Sequence, residues 1–270
     1  MKKFLVVYTL LLLAVVSNAQ AYDPWDGYLN DKPLVAFASD GPLFVSLGST
    51  CEPAHEIRGL NLRKAAFPFD WMVSADHDQL INMINDDLKH FCDENYLEAS
   101  MVKKVILLNT YYSIVFPHEG KWDPASFEAS YVKFKEKYER RIQRFKEISN
   151  FPGKVFFIRA ARPYADSDQT IFKDKRNVEI SDETARELYQ ALKNKFPNLD
   201  LTLIVLNVTD GTEVVLNHIE EGIVKMHQNP NIATKPRLDL CKRNFIKLME
   251  DFGYTDAPIF QDLLNSLNGQ

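Results

Sequence analysis

The chain has 270 residues, 46% of them hydrophobic, with 32 Lys and Arg against 37 Asp and Glu for a formal net charge of −5. That mildly acidic balance excludes a protein held to nucleic acid or anionic lipid by overall positive charge, because such binders need clustered Lys and Arg to displace counterions. The apolar content suffices for a full core, and no Pro-, Gly- or Ser-rich linker, internal repeat or charge block divides the chain, so residues 22–270 are expected to form one domain.

The chain opens with Lys2 and Lys3, an apolar run from Phe4 to Val16, and small residues ending in Ala19-Gln20-Ala21. This is the three-part layout of a secretory signal peptide over residues 1–21, with cleavage expected after Ala21. The apolar run is shorter than the roughly 20 residues that a membrane-spanning helix needs. The expectation is therefore a secreted or periplasmic protein with no membrane attachment after cleavage.

Beyond the leader, an apolar β-rich run at Leu43 to Leu47 meets the turn Gly48-Ser49, then a short helix from Thr50 to Arg58 stopped by Gly59. A helical stretch is read at Leu80 to Phe91. Short runs dominated by Val, Ile, Leu and Phe follow at Val105 to Leu108, Ser113 to Phe116, Val155 to Ile158 and Leu201 to Leu206, and continuous apolar runs of this length predict buried strands. Amphipathic segments at Ser126 to Ile148, Ser181 to Phe196 and Thr212 to Met226 are read as helices, and Cys241 to Asp251 as another. Strands alternating with helices predict an α/β, three-layer architecture: a largely parallel sheet with helices on both faces. The pair at Val105 to Phe116 is read as a hairpin or edge-strand addition.

In such a sheet, ligands bind beyond the carboxyl ends of the strands. That rule selects Gly48, Ser49, Thr50 and Cys51 after the first strand, Arg159, Arg162 and Asp166 after the strand at Val155, and Asn207, Thr209 and Asp210 after the strand at Leu201. The same residue types also populate ordinary turns for backbone reasons of their own.

The three cysteines, Cys51, Cys92 and Cys241, are an odd number, so at least one thiol has no internal disulfide partner. Cys92 and Cys241 sit in helical patterns that suit small buried hydrophobes. Cys51 follows a strand and a tight turn. Ser49-Thr50-Cys51-Glu52 fits a capping box, which sets Cys51 in the first helical turn. There the N–H groups and the helix dipole favour a thiolate, and the same N–H groups suit an oxyanion. An inert cysteine in a helix cap satisfies the same pattern.

The segment Phe44-Val45-Ser46-Leu47-Gly48-Ser49-Thr50-Cys51-Glu52-Pro53-Ala54, followed by Leu62-Arg63 and then Phe67-Pro68-Phe69-Asp70-Trp71, resembles the signature of a family of unknown function described as putative papain-like cysteine peptidases. The clear match covers Phe44 to Trp71, with weaker similarity through His118 and to Asn207. The resemblance implies Cys51 as a nucleophile and a downstream histidine as its base, with His118 in Pro117-His118-Glu119 as the candidate. A Cys–His pair works because the imidazole takes the thiol proton and later protonates the leaving group, while a third group fixes the ring. Glu119, Asp123 and Asp70 are candidates for that third role. Trp71 is a candidate pocket wall, and Arg159 or Arg162 a candidate partner for a substrate carboxylate or phosphate. In papain the cysteine opens a long helix that no parallel strand feeds, which differs from the strand-turn-helix reading here.

His55, four residues after Cys51, shares its helix face and competes as base or metal ligand. Two ligands fall short of the four of a structural zinc site, and there is no CxxC or HExxH, so neither metal nor cofactor is expected. The reading is a thiol hydrolase acting on the amide or ester bond of a peptide, ester or small molecule. The alternatives are a non-catalytic exported α/β binding module or a sugar-nucleotide transferase-like enzyme, whose metal-binding Asp-x-Asp would fall at Asp166-Ser167-Asp168.

Overall fold

The computed structural model describes residues 32–74, 77–100, 106–119, 127–161, 179–208, 213–228 and 235–267. The signal peptide expected at 1–21 and residues Asp123, Arg162, Asp166, Ser167, Asp168, Thr209 and Asp210 lie outside them. The main sheet has five strands: β1 (Leu43–Ser46), β6 (Val155–Ala160), β7 (Leu201–Val208), β8 (Leu216–Glu220) and β9 (Ile223–Gln228). Their spatial order is β1-β6-β7-β9-β8, parallel throughout except for β8. A second sheet, antiparallel and ordered β2-β5-β4-β3, contains β2 (Val73–Ser74), β3 (Leu97–Ser100), β4 (Ile106–Asn109) and β5 (Ile114–Phe116).

Strands β1, β6 and β7 are apolar at most positions because both faces are covered there. Alternate side chains divide between two cores, as the two-residue period of a strand requires. Leu43, Val45, Val155, Phe157, Leu201, Leu203, Val205 and Ile223 point to one side. They meet α2 (His77–Asn85), α3 (Phe127–Glu147), α4 (Asp182–Lys195) and the second sheet. Phe44, Phe156, Ile158, Ile204, Leu206, Val224 and Met226 point to the other side, against α1 (Glu52–Gly59), α5 (Lys235–Asp251) and α6 (Pro258–Leu267). The fold is thus mixed α/β, with helices on both faces of a mainly parallel sheet.

Three helix readings of the sequence need correction. Residues 212–226 do not form a helix between strands; 216–228 fold as the β8–β9 hairpin, turning at Glu221-Gly222. The β-branched residues Val214, Val215, Ile219, Ile223 and Val224 fit both helical and alternating spacing. What decides is the turn: Gly222 takes φ +84°, and a Cβ there would collide with the Tyr189 side chain. The strands at 106–116 do form a hairpin, but it belongs to the separate antiparallel sheet and does not extend an edge of the main one. Its partners β2 and β3 are only two and four residues long, too short to show a period. The helix at Leu80 is also displaced: it spans His77–Asn85 and ends where Asp87 and Leu88 adopt φ +64° and +59°. Cys241 lies within α5, not at its start.

Candidate functional site

The site begins at the carboxyl end of β1. Leu47 donates its N–H to the Ile158 carbonyl at 2.8 Å, so the chain stays on the sheet up to this point. It then turns sharply. Gly48 has φ +71° and Ser49 φ +88°, the second a left-handed conformation that is costly for a residue with a Cβ. The turn is held by its neighbours: the Ser46 hydroxyl accepts the Gly48 N–H at 3.1 Å, and the Ser49 carbonyl accepts the Ser74 N–H at 3.1 Å. This is a strand–turn–helix layout of the kind that lifts a nucleophile above a sheet.

The expected capping box does not form. Helix α1 starts at Glu52, and Cys51 is itself the N-cap residue, without a side-chain cap bond. Thr50 Oγ1, not Ser49, accepts the Glu52 N–H, at 3.2 Å. The positive φ of Ser49 explains the difference, because a Ser N-cap needs extended backbone. Pro53 follows in the first turn, where its missing N–H is tolerated. Cys51 remains at the positive end of the helix, and its carbonyl receives the His55 N–H at 3.0 Å.

The second half comes from the antiparallel sheet. Strand β5 ends at Phe116, and the Pro117-His118-Glu119 turn is closed by the Glu119 N–H on the Phe116 carbonyl at 3.4 Å. This brings His118 Nε2 to 3.0 Å from Cys51 Sγ, across 67 residues of chain. Cys51 is half-buried and His118 exposed, so the pair faces solvent.

Trp71 lies beneath it, 3% exposed. Its ring meets His118 edge-on at 5.9 Å and His55 edge-on at 4.8 Å, and the Arg63 guanidinium lies 5.5 Å from its centroid. Trp71 therefore separates the two imidazoles. Of the two, His118 is placed with its Nε2 at hydrogen-bonding distance from the sulfur.

Asp70 is buried and bonds away from the dyad. One of its oxygens accepts from Arg63 at 2.7 Å and from the Phe67 N–H at 3.0 Å. Burial pushes its carboxyl above the ordinary range, against the downward pull of Arg63. Glu119 likewise turns away: Lys137 donates to both its oxygens at 2.7 and 2.6 Å and the Tyr138 hydroxyl to one at 3.0 Å. Neither carboxylate is hydrogen-bonded to the imidazole.

The remaining candidates stand inside the protein. Arg159 is fully buried and donates to the Leu47 carbonyl at 2.9 Å, to Ser74 Oγ at 2.8 Å, to the Ser74 carbonyl at 3.3 Å and to His77 Nδ1 at 3.3 Å. It braces the thiol turn from below, with no surface exposed to solvent. Asn207 exchanges hydrogen bonds with the backbone of Ile180. Ser49 is buried, and Thr50 is half-buried beside the thiol. Among the described residues no group of three His, Cys, Asp or Glu side chains is arranged to hold a metal ion.

None of the three cysteines is joined in a disulfide. Burial, aided by the nearby Glu139 carboxylate, pushes the Cys92 thiol up to about 12. Nothing in the residue pattern marks Lys137 and Tyr138, because they approach Glu119 from a helix with no motif of its own.

A turn raises a cysteine over a sheet, and a histidine stands at hydrogen-bonding distance from it. Residues 42–211 match the family described as "Putative papain-like cysteine peptidase (DUF1796)", and the chain belongs to it. The matched span includes both Cys51 and His118. The chain is also 30% identical over 139 residues to a protein of Acanthamoeba polyphaga mimivirus named "Uncharacterized protein R408". That similarity covers 45% of this chain and 62% of the viral protein.

Proposed function

We propose that the protein is a thiol hydrolase in which Cys51 is the nucleophile and His118 the proton carrier. The observation that carries this reading is the 3.0 Å separation of Cys51 Sγ and His118 Nε2 at the solvent face of a strained turn. His118 takes the thiol proton, and the thiolate attacks the carbonyl carbon of an amide or ester. The tetrahedral intermediate collapses as the imidazolium protonates the leaving amine or alcohol, leaving a thioester on Cys51. Water, deprotonated by His118, then attacks the thioester; the acid product departs and the thiol regains its proton.

This reading takes residues 22–270 as one domain, a view supported by the two apolar cores lying on opposite faces of one sheet. It also places the enzyme outside the cytoplasm, on the strength of the leader at residues 1–21. No helix among the described residues is long and apolar enough to cross a membrane.

The test uses p-nitrophenyl acetate as a generic acyl donor with the full chain. A burst of p-nitrophenol stoichiometric with protein is expected, together with an acetyl adduct on Cys51 by mass spectrometry. Cys51→Ala should abolish the burst, and His118→Ala should slow it by about 100-fold or more, the scale of positioned proton transfer. Acetylation spread equally and slowly over all three thiols would overturn the reading in favour of a non-catalytic binding module.

A further inference from the structure

Helix α3 passes both halves of the site and touches each through one face. Positions 137, 138, 141 and 144 fall at i, i+1, i+4 and i+7, a single stripe of an α-helix. Lys137 and Tyr138 hold the Glu119 carboxylate, which belongs to the residue next to His118. Two turns on, Arg144 donates to the Ala66 carbonyl at 2.6 Å, and Arg141 stacks over the Tyr138 ring at 5.0 Å. Ala66 leads into the Phe67–Trp71 segment, whose Phe69 carbonyl lies against Gly48.

The thiol and the imidazole stand on different sheets. β2 joins them directly: it pairs with β5 over two residues, and its Ser74 bonds to Ser49. That link ends before Pro117, so the His118 turn extends beyond it. Glu119 has a side chain only 9% exposed and is gripped by three hydrogen bonds, which makes it the anchor of the turn on the helix side.

We propose that α3 sets the spacing of the Cys51–His118 pair, with Lys137 and Tyr138 acting as positioning residues through Glu119. The inference rests on the reading of that pair as the working dyad. Glu119 is then not a third catalytic carboxylate on the imidazole; it fixes the backbone that carries the ring. The Arg144 contact fixes the opposite arm relative to the same helix.

The experiment measures iodoacetamide alkylation of Cys51 across pH in the full chain, resolved by thiol with mass spectrometry. The wild type is compared with His118→Ala, Glu119→Gln, Lys137→Met, Lys137→Arg and Tyr138→Phe. Loosening the anchor should lower the neutral-pH rate about tenfold in Glu119→Gln and Lys137→Met and displace the pH profile of alkylation in the same direction as His118→Ala does. Lys137→Arg keeps the charge and the reach and should recover most of the rate. Tyr138→Phe removes one hydrogen bond and should fall between, which keeps the test open if Glu119→Gln does not fold. If Glu119→Gln, Lys137→Met and Tyr138→Phe all overlay the wild type while His118→Ala does not, the positioning role is overturned and the dyad stands. If His118→Ala also overlays the wild type, the dyad itself fails.

Discussion

The position that a Cβ on Gly48 would occupy lies 2.8 Å from the carbonyl oxygen of Phe69. The nucleophile turn and the Phe67–Trp71 segment therefore meet backbone to backbone, and the approach has room for no side chain. Gly48 also sits at φ +71°, where an L-residue is strained. Gly48→Ala should cost about 1–3 kcal/mol, the range for a residue forced into a sparsely populated conformation. The same change should reduce Cys51 alkylation at neutral pH, since the turn must shift to relieve the contact. Urea denaturation and the alkylation rate check both parts; an alanine variant with wild-type stability would mean that the turn is slack.

Much of this arrangement can be read from the residues alone, for stated reasons. The strand–turn–helix around Cys51 follows from an apolar run, a Gly-Ser turn and a short helical segment, all local signals. The alternating division of Phe44 and Val45, or Phe156 and Phe157, between two cores follows from the strand period. His118 emerges only with the family resemblance, because a partner 67 residues away leaves no local trace. Glu119 fails as an imidazole partner because Lys137, 18 residues on, takes its carboxylate. Arg159 sits at a strand end, as a ligand-binding arginine would, but its side chain runs inward to Leu47, Ser74 and His77. Which way a long side chain points at a strand end is decided by tertiary acceptors.

That inward direction yields a prediction for Arg159. Its guanidinium satisfies two backbone carbonyls and a hydroxyl that have no water to turn to. Arg159→Met leaves these buried acceptors without their donor and should lower stability by roughly 1–3 kcal/mol, the scale of an unsatisfied buried polar group. A substrate-binding arginine would instead leave stability near wild type and raise KM alone. Thermal and urea unfolding of the variant distinguish the two.

Asp70 supports the site through a chain of contacts. It fixes Arg63, Arg63 lies over Trp71, and Trp71 packs edge-on against both imidazoles. Asp70→Ala leaves a nearly buried guanidinium without that carboxylate and should cost about 3–5 kcal/mol. Asp70→Asn keeps an acceptor for the Phe67 N–H and removes the burial cost of a charge, so it should cost less than the alanine variant. Unfolding curves followed by tryptophan fluorescence test this order, and an asparagine variant weaker than the alanine one would contradict it.

Cys92 provides the pH dependence. Burial raises its thiol from 9.0 to about 12, so between those values the folded chain keeps a proton that the unfolded chain has lost. Stability tied to this group is complete below about pH 9 and declines as pH rises towards 12. The slope is at most about 1.4 kcal/mol per pH unit for a single group. Cys92→Ala removes the titrating thiol and should flatten this part of the alkaline decline, at the expense of some packing at all pH values. Urea midpoints of the two proteins between pH 8 and 10.5 measure the difference, and parallel curves would refute the assignment. The same protonated state makes Cys92 slow towards iodoacetamide at neutral pH, so its labelling rate is an internal reference for folded protein against which Cys51 is read.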